Sequence, residues 1–260
     1  MPTKQNPLII PGAIVIAAAL IAGAIYLNGK NTAPAVTTNE QPETASIDFK
    51  PVDSTDYIRG NPNAPIMLVE YSDYDCPFCG QFHTTMKQII EKYGTTGKVA
   101  WVYRHFPIQQ LHPNAPKIST AAECVAELGG SSAFWTFTDL VFSEKPIETR
   151  NGQSYVGSTD MARLPEFAET AGVDRGRFEL CFNSGKYDEK IEQAVLDAQK
   201  AGGQGTPHTL IIAGNEILDQ IPGAYPFEDF TDSTGATQAG MDSIIADLVS
   251  QVPDQPATAQ

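Results

Sequence analysis

Apolar residues fall in three rhythms along the chain. The first is unbroken: Leu8 to Leu27 read LIIPGAIVIAAALIAGAIYL, twenty positions without a charge. That length spans a bilayer as a helix, and Pro11 falls in the first turn, where a missing N–H matters least. The second rhythm is that of strands. Ile66-Met67-Leu68-Val69 is a short continuous apolar run, suited to a strand buried on both faces. Val99 to Phe106 alternates and predicts another strand. Between them comes the third rhythm. Phe78, Phe82, Met86, Ile89 and Ile90 recur at helical spacing and predict a helix that opens at Cys76 and ends at Gly94. Pro77 takes its first position, where proline is favoured. Gly60, Pro62 and Pro65 mark Tyr57 to Pro65 as a turn.

Helical periodicity then continues through Ile118–Leu128, Ala133–Phe142, Asp160–Ala171, Arg175–Phe182 and Tyr187–Ala201, closed by Gly202, Gly203 and Gly205. Thr209–Ile212 and Glu216–Leu218 flank a Gly214-Asn215 turn, a strong hairpin signal. Met241–Val249 predicts a last helix. Strand–helix–strand, a helical insertion over about 108–201, then a hairpin and a helix is the order of an α/β thioredoxin fold interrupted in its middle.

This sets the expected organisation: a short cytoplasmic tail (1–7), an anchor (8–27), a linker (28–50), a folded domain (51–251) and a tail (252–260). The linker has almost no large apolar residues, so it buries too little surface to offset its ordering entropy. Lys4 and the terminal amine on one side, and Lys30 on the other, leave orientation nearly undecided by charge count. A cleaved signal peptide is the competing reading, with Ala33-Pro34-Ala35 as its site, but twenty apolar residues exceed the usual signal length. The net charge of −14 argues against nucleic acid as a partner and against docking on anionic lipid through a basic patch.

Four cysteines carry the candidate chemistry. Cys76-Pro77-Phe78-Cys79 is a C-x-x-C pattern following a strand and opening a helix. There the first sulfur meets outward-pointing N–H groups and the positive end of the helix dipole, which stabilise a thiolate. A stabilised thiolate favours the reduced form, so the disulfide becomes more oxidising. Asp73 and Asp75 oppose this, and are expected to face solvent, where screening weakens them. Cys76, Cys79 and His83 also fit a zinc spacing, which the helix-opening proline speaks against; His83 is otherwise expected on a helix surface. Cys124 and Cys181 lie on predicted helices of the insertion. Pairing with each other is the simplest choice, with two buried free thiols as the alternative. The stretch Phe134 to Phe142 is either core or an apolar patch for client chains. His105 fits a structural role, and His208, following Pro207, is a candidate for the rim of the site.

The run Glu70 to Cys79 (EYSDYDCPFC), with Tyr103-Arg104-His105-Phe106-Pro107, Gly205-Thr206-Pro207, Ala121-Ala122-Glu123-Cys124 and Phe134-Trp135, resembles the DsbA-like disulfide oxidoreductases over roughly Tyr57 to Val249. The resemblance implies dithiol–disulfide exchange with exported proteins outside the cytoplasm, a membrane redox partner that recycles the pair, and no cofactor. It makes Cys76 the exposed attacking cysteine, Cys79 the buried one and Glu70 a buried carboxylate that exchanges a proton with Cys79. It also implies a cis peptide before Pro207, and places Pro77, Phe78, Thr206 and Pro207 at the substrate. The Pro77-Phe78 dipeptide departs from the family pattern, so a strongly oxidising potential does not carry over with it. Oxidation is the favoured direction. A reductase or isomerase using the same cysteines is the alternative, and a tethered binding module is a more distant one. No dimerisation segment precedes Tyr57, so a monomer is expected.

Overall fold

The computed structural model describes residues 47–150 and 153–252. The anchor, most of the linker and the tail beyond Val252 lie outside the described residues. Among the described residues no helix is long and apolar enough to cross a membrane.

Five strands form the central sheet: β1 (Tyr57–Gly60), β2 (Ile66–Ser72), β3 (Val99–His105), β6 (His208–Ala213) and β7 (Glu216–Pro222), in the order β1-β3-β2-β6-β7. β2 and β3 run parallel, joined through helix α1 (Pro77–Tyr93), and the other pairings are antiparallel. Alternation sends side chains to two cores. Leu68, Trp101, Tyr103 and Ile211 pack with Phe82, Met86 and Ile89 of α1, and with Met241 and Ile245 of the last helix, α6 (Met241–Gln251). Val69, Tyr71, Val102 and Leu210 face the other way, onto Val195 and Ala198 of α5 (Asp188–Lys200).

Between β3 and β6 lie α2 (Ala115–Ser143), the hairpin β4 (Ile147–Arg150) and β5 (Gln153–Val156), α3 (Leu164–Thr170), α4 (Arg175–Phe182) and α5. The two short strands β8 (Phe230–Thr231) and β9 (Thr237–Gln238) pair before α6. α2 joins the two helices expected at Ile118–Leu128 and Ala133–Phe142. Gly130, at φ 75°, breaks the helical path between them, a conformation that glycine adopts readily. Cys124 of α2 is disulfide-bonded to Cys181 of α4. Phe134, Phe137 and Val141 are fully buried, so this aromatic stretch is core.

Three expectations need correction. Tyr57 to Gly60 is a strand rather than part of a turn. Its Tyr57 ring stacks on Phe134 at 3.6 Å, and its Arg59 lies over Trp135, contacts made with residues distant in sequence. The linker ends earlier than residue 50: Ile47 and Phe49 pack into the second core, and the Asp48 N–H donates to the Lys200 carbonyl at 3.1 Å. The β4–β5 hairpin was not expected, although Asn151-Gly152 carries the sequence signal for one.

Candidate active site

Strand register builds the site. Tyr71 of β2 pairs with His208 of β6, so Pro207, one residue earlier, lies beside the chain leaving β2 toward Cys76. The Thr206–Pro207 peptide is cis, and the Pro207 carbonyl accepts from the Gly223 N–H at 2.9 Å. Upstream, a Cβ on Gly203 would meet the Ala198 carbonyl at 2.9 Å, so only glycine allows this close approach to α5.

Cys76 is the N-cap residue of α1 and Pro77 its first residue. Cys76 and Cys79 are free thiols. The Cys76 thiol donates to the Thr206 carbonyl at 3.5 Å, and this loop covers it: Cys76 is 4% exposed, against the exposed position expected. Cys79 is wholly buried, and its sulfur accepts the Asp73 N–H at 3.4 Å. Phe78 between them is 58% exposed.

The two thiols are pushed apart in acidity. The Cys79 thiol donates to the Cys76 sulfur and holds its pKa down at about 6, burial opposes, and the Cys79 and Phe78 backbone N–H groups and the Thr206 side chain add to the lowering. Burial pushes Cys79 well up, with the negative charge of Cys76 and Glu70 adding to it. Glu70 is fully buried in β2, and burial raises its carboxyl to about 7 against hydrogen bonds from Ser72 and Trp101. The Trp101 Nε1–H donates to Glu70 Oε2 at 2.8 Å.

Asp73 and Asp75 do not face solvent. Asp73 Oδ1 accepts the Asp75 N–H at 2.8 Å, closing a tight turn. Its Oδ2 accepts the Ile108 N–H at 2.7 Å and lies 2.9 Å from His112 Nδ1. Asp75 Oδ1 accepts the Thr159 N–H at 2.7 Å and lies 3.4 Å from Lys145 Nζ. Buried carboxylates persist when paired and hydrogen-bonded in this way. His83 is buried rather than on the surface, with Nε2 2.8 Å from Asp139 Oδ1, and it packs against Trp101. His208 is buried with Nε2 3.0 Å from the Ala201 carbonyl, away from a rim position. His105 is buried 3.2 Å from Glu123. Among the described residues no group of three His, Cys, Asp or Glu side chains is arranged to hold a metal ion.

Glu70 gives a measurable consequence. Its folded pKa of about 7 lies above the ordinary 4.5, so the folded state keeps a proton that the unfolded chain has released. This contribution is fully present below pH 4.5 and is lost as pH rises toward 7, a fall of about 3 kcal/mol. Glu70→Gln keeps an acceptor for Trp101 and does not ionise, so it is expected to remove that fall. Urea denaturation of the reduced protein at pH 5 and pH 8 measures it. An equal pH dependence in both proteins would exclude Glu70 as its source.

A family model described as thioredoxin matches residues 53–230, more than half the chain. Among curated proteins, the Na(+)/H(+) antiporter NhaA 3 of Salinispora tropica is 33% identical over 158 residues, 60% of this chain and 22% of that one. The chain spans about a quarter of the length of the curated relatives it matches. Among solved structures, alpha-DsbA1 of Wolbachia pipientis superposes with a TM-score of 0.55 at 24% identity, covering 68% of this chain and 87% of that one. DsbA of Chlamydia trachomatis gives 0.58 at 15% identity, covering 77% and 94%. These likenesses establish the DsbA type of fold, with helices inserted between β3 and β6. With the family model matching across the sheet and the insertion, the chain belongs to the thioredoxin family and shares the fold of the DsbA structures.

Proposed function

We propose that this domain is an extracytoplasmic thiol–disulfide oxidoreductase that forms disulfides in exported proteins. The observation that carries the reading is the acidic Cys76 thiol at a helix N-cap, backed by a buried, weakly acidic Cys79 and faced by the Thr206–Pro207 loop. The asymmetry supports the following roles. In the oxidised pair, a substrate thiolate attacks the Cys76 sulfur, forming a mixed disulfide and breaking the Cys76–Cys79 bond. Cys79 leaves as a high-pKa thiolate and takes a proton, for which Glu70, at about 7, is matched to neutral pH. A second substrate thiolate attacks the substrate sulfur of the mixed disulfide and releases Cys76 as its stabilised thiolate. Two electrons have then passed from substrate to the pair, and a membrane redox partner removes them. Pro77 and Phe78 on one side, and Thr206 and Pro207 on the other, frame the substrate. Reoxidation of a reduced, unfolded disulfide protein, run beside insulin reduction, tests the direction. Faster insulin reduction than substrate oxidation would favour a reductase.

Residues 8–27 are proposed as a retained anchor, on the strength of their length without charge. The full-length protein is then expected to fractionate with membranes and to resist alkaline extraction. A mature N-terminus at Val36 would replace the anchor with a cleaved signal peptide.

A further inference from the structure

The residue just before Cys76 holds together a part of the insertion that the exchange reaction does not otherwise use. Asp75 accepts from the Thr159 N–H and pairs with Lys145 Nζ. Lys145 and Thr159 flank the β4–β5 hairpin, whose base is closed by the Gly157 N–H donating to the Pro146 carbonyl at 2.7 Å. Both partners of the ion pair are out of solvent, with side-chain exposures of 2% for Lys145 and 1% for Asp75. Asp75 Oδ2 is buried without a hydrogen bond. Among the described residues its compensation therefore rests on one backbone N–H and on Lys145.

A buried carboxylate next to Cys76 is costly for the reaction. In a medium that screens poorly, a negative charge disfavours a neighbouring thiolate. The titratable and charged groups around the cysteine pair are Glu70, Asp73, Asp75, Tyr103, His112 and Lys145, of which the buried Tyr103 stays neutral because burial pushes its pKa well up. Asp73 has its own partners in Ile108 N–H and His112. Asp75 is left to Lys145. Burial pushes the Lys145 pKa down, while the attraction of Asp75, Asp73 and Cys79 holds it up, so its field reaches the redox pair at Cys79.

We infer that Lys145 is a positioning residue for the exchange reaction: by neutralising Asp75 inside the protein, it lets Cys76 ionise and pins the chain entering α1 to the foot of the β4–β5 hairpin. The inference rests on the reading of Cys76 as the attacking thiol, and it names a residue of the insertion that sets the pair's acidity and potential.

The test titrates Cys76 by thiolate absorbance in the Cys79→Ser background, with Lys145→Met, Asp75→Asn and the two combined. Lys145→Met removes the cation facing Asp75 and is expected to raise the Cys76 pKa by about one unit, which cuts the thiolate population below the pKa about tenfold. With both cysteines present, the same change lowers the reduction potential against glutathione by about 30 mV. Asp75→Asn is expected to lower the Cys76 pKa, and the double substitution to return it near the parent. If Lys145→Met does not fold, the other two decide: Asp75→Asn below the parent with the double substitution near it supports the inference. A Cys76 pKa that stays at the parent value in all variants, with only the melting temperature changed, would overturn it. So would a double substitution as high as Lys145→Met alone. Cys76→Ser in an exchange assay tests the underlying reading separately, because Cys76 titrates whether or not it is the attacking thiol.

Discussion

Cys76→Ser brings thiol–disulfide exchange down to background, a loss of roughly 10³-fold or more, the scale of deleting a covalent nucleophile. Cys79→Ser has a different outcome: the first attack survives and the reaction stops at a mixed disulfide on Cys76. The difference follows from acidity. With a pKa of about 6, Cys76 is about nine-tenths thiolate at pH 7, and the thiolate is the reactive form. Burial keeps the Cys79 thiol protonated. In Cys79→Ser the serine hydroxyl still donates to the Cys76 sulfur, so much of the lowering persists. Non-reducing electrophoresis followed by mass mapping reads the adduct. Finding it on Cys79 in Cys76→Ser, with exchange continuing, would reverse the assignment.

The second large effect is on stability. Cys124 and Cys181 close a separation of 57 residues between α2 and α4. Constraining a loop of that length in the unfolded chain is worth about 4 kcal/mol. Cys124→Ala with Cys181→Ala is therefore expected to lower the melting temperature by roughly 10 °C for a domain of this size. Cys124 is fully buried against the core of the insertion, so alanine also leaves a small void there. Exchange through Cys76 should continue in the variant below its melting temperature. Scanning calorimetry of the two proteins, both with Cys76 and Cys79 reduced, measures the shift. A change of under about 2 °C would mean that the bond contributes little to the folded state.

What was legible in the sequence was local. The helix opening at Cys76 is written in Pro77 and in the spacing of Phe78, Phe82, Met86 and Ile89. The β6–β7 hairpin is written in Gly214-Asn215. The register that brings Pro207 to Cys76 is not local, and only the resemblance placed it. Strand β1 was missed because what makes it a strand is its pairing with β3 and its stacking on α2, both distant in sequence. Asp73, Asp75 and His83 were placed in solvent because charged residues usually are. Their partners lie far along the chain: Lys145 is 70 residues from Asp75, Thr159 is 84, and Asp139 is 56 from His83. Trp101 as the hydrogen-bond partner of Glu70 was missed for the same reason, since only the pairing of β2 with β3 brings them together. The exposure expected of Cys76 failed because the Thr206 carbonyl lies over its sulfur.

Cys76 and Cys79 are proposed as a redox pair tuned toward oxidation by the stability of the Cys76 thiolate. Equilibrating the protein with glutathione buffers and fitting the fraction reduced gives the potential directly. A Cys76 pKa of about 6 instead of the ordinary value for a cysteine predicts a potential above that of thioredoxin, about −270 mV. A pair that never equilibrates with glutathione, or one whose potential lies at or below −270 mV, would contradict it.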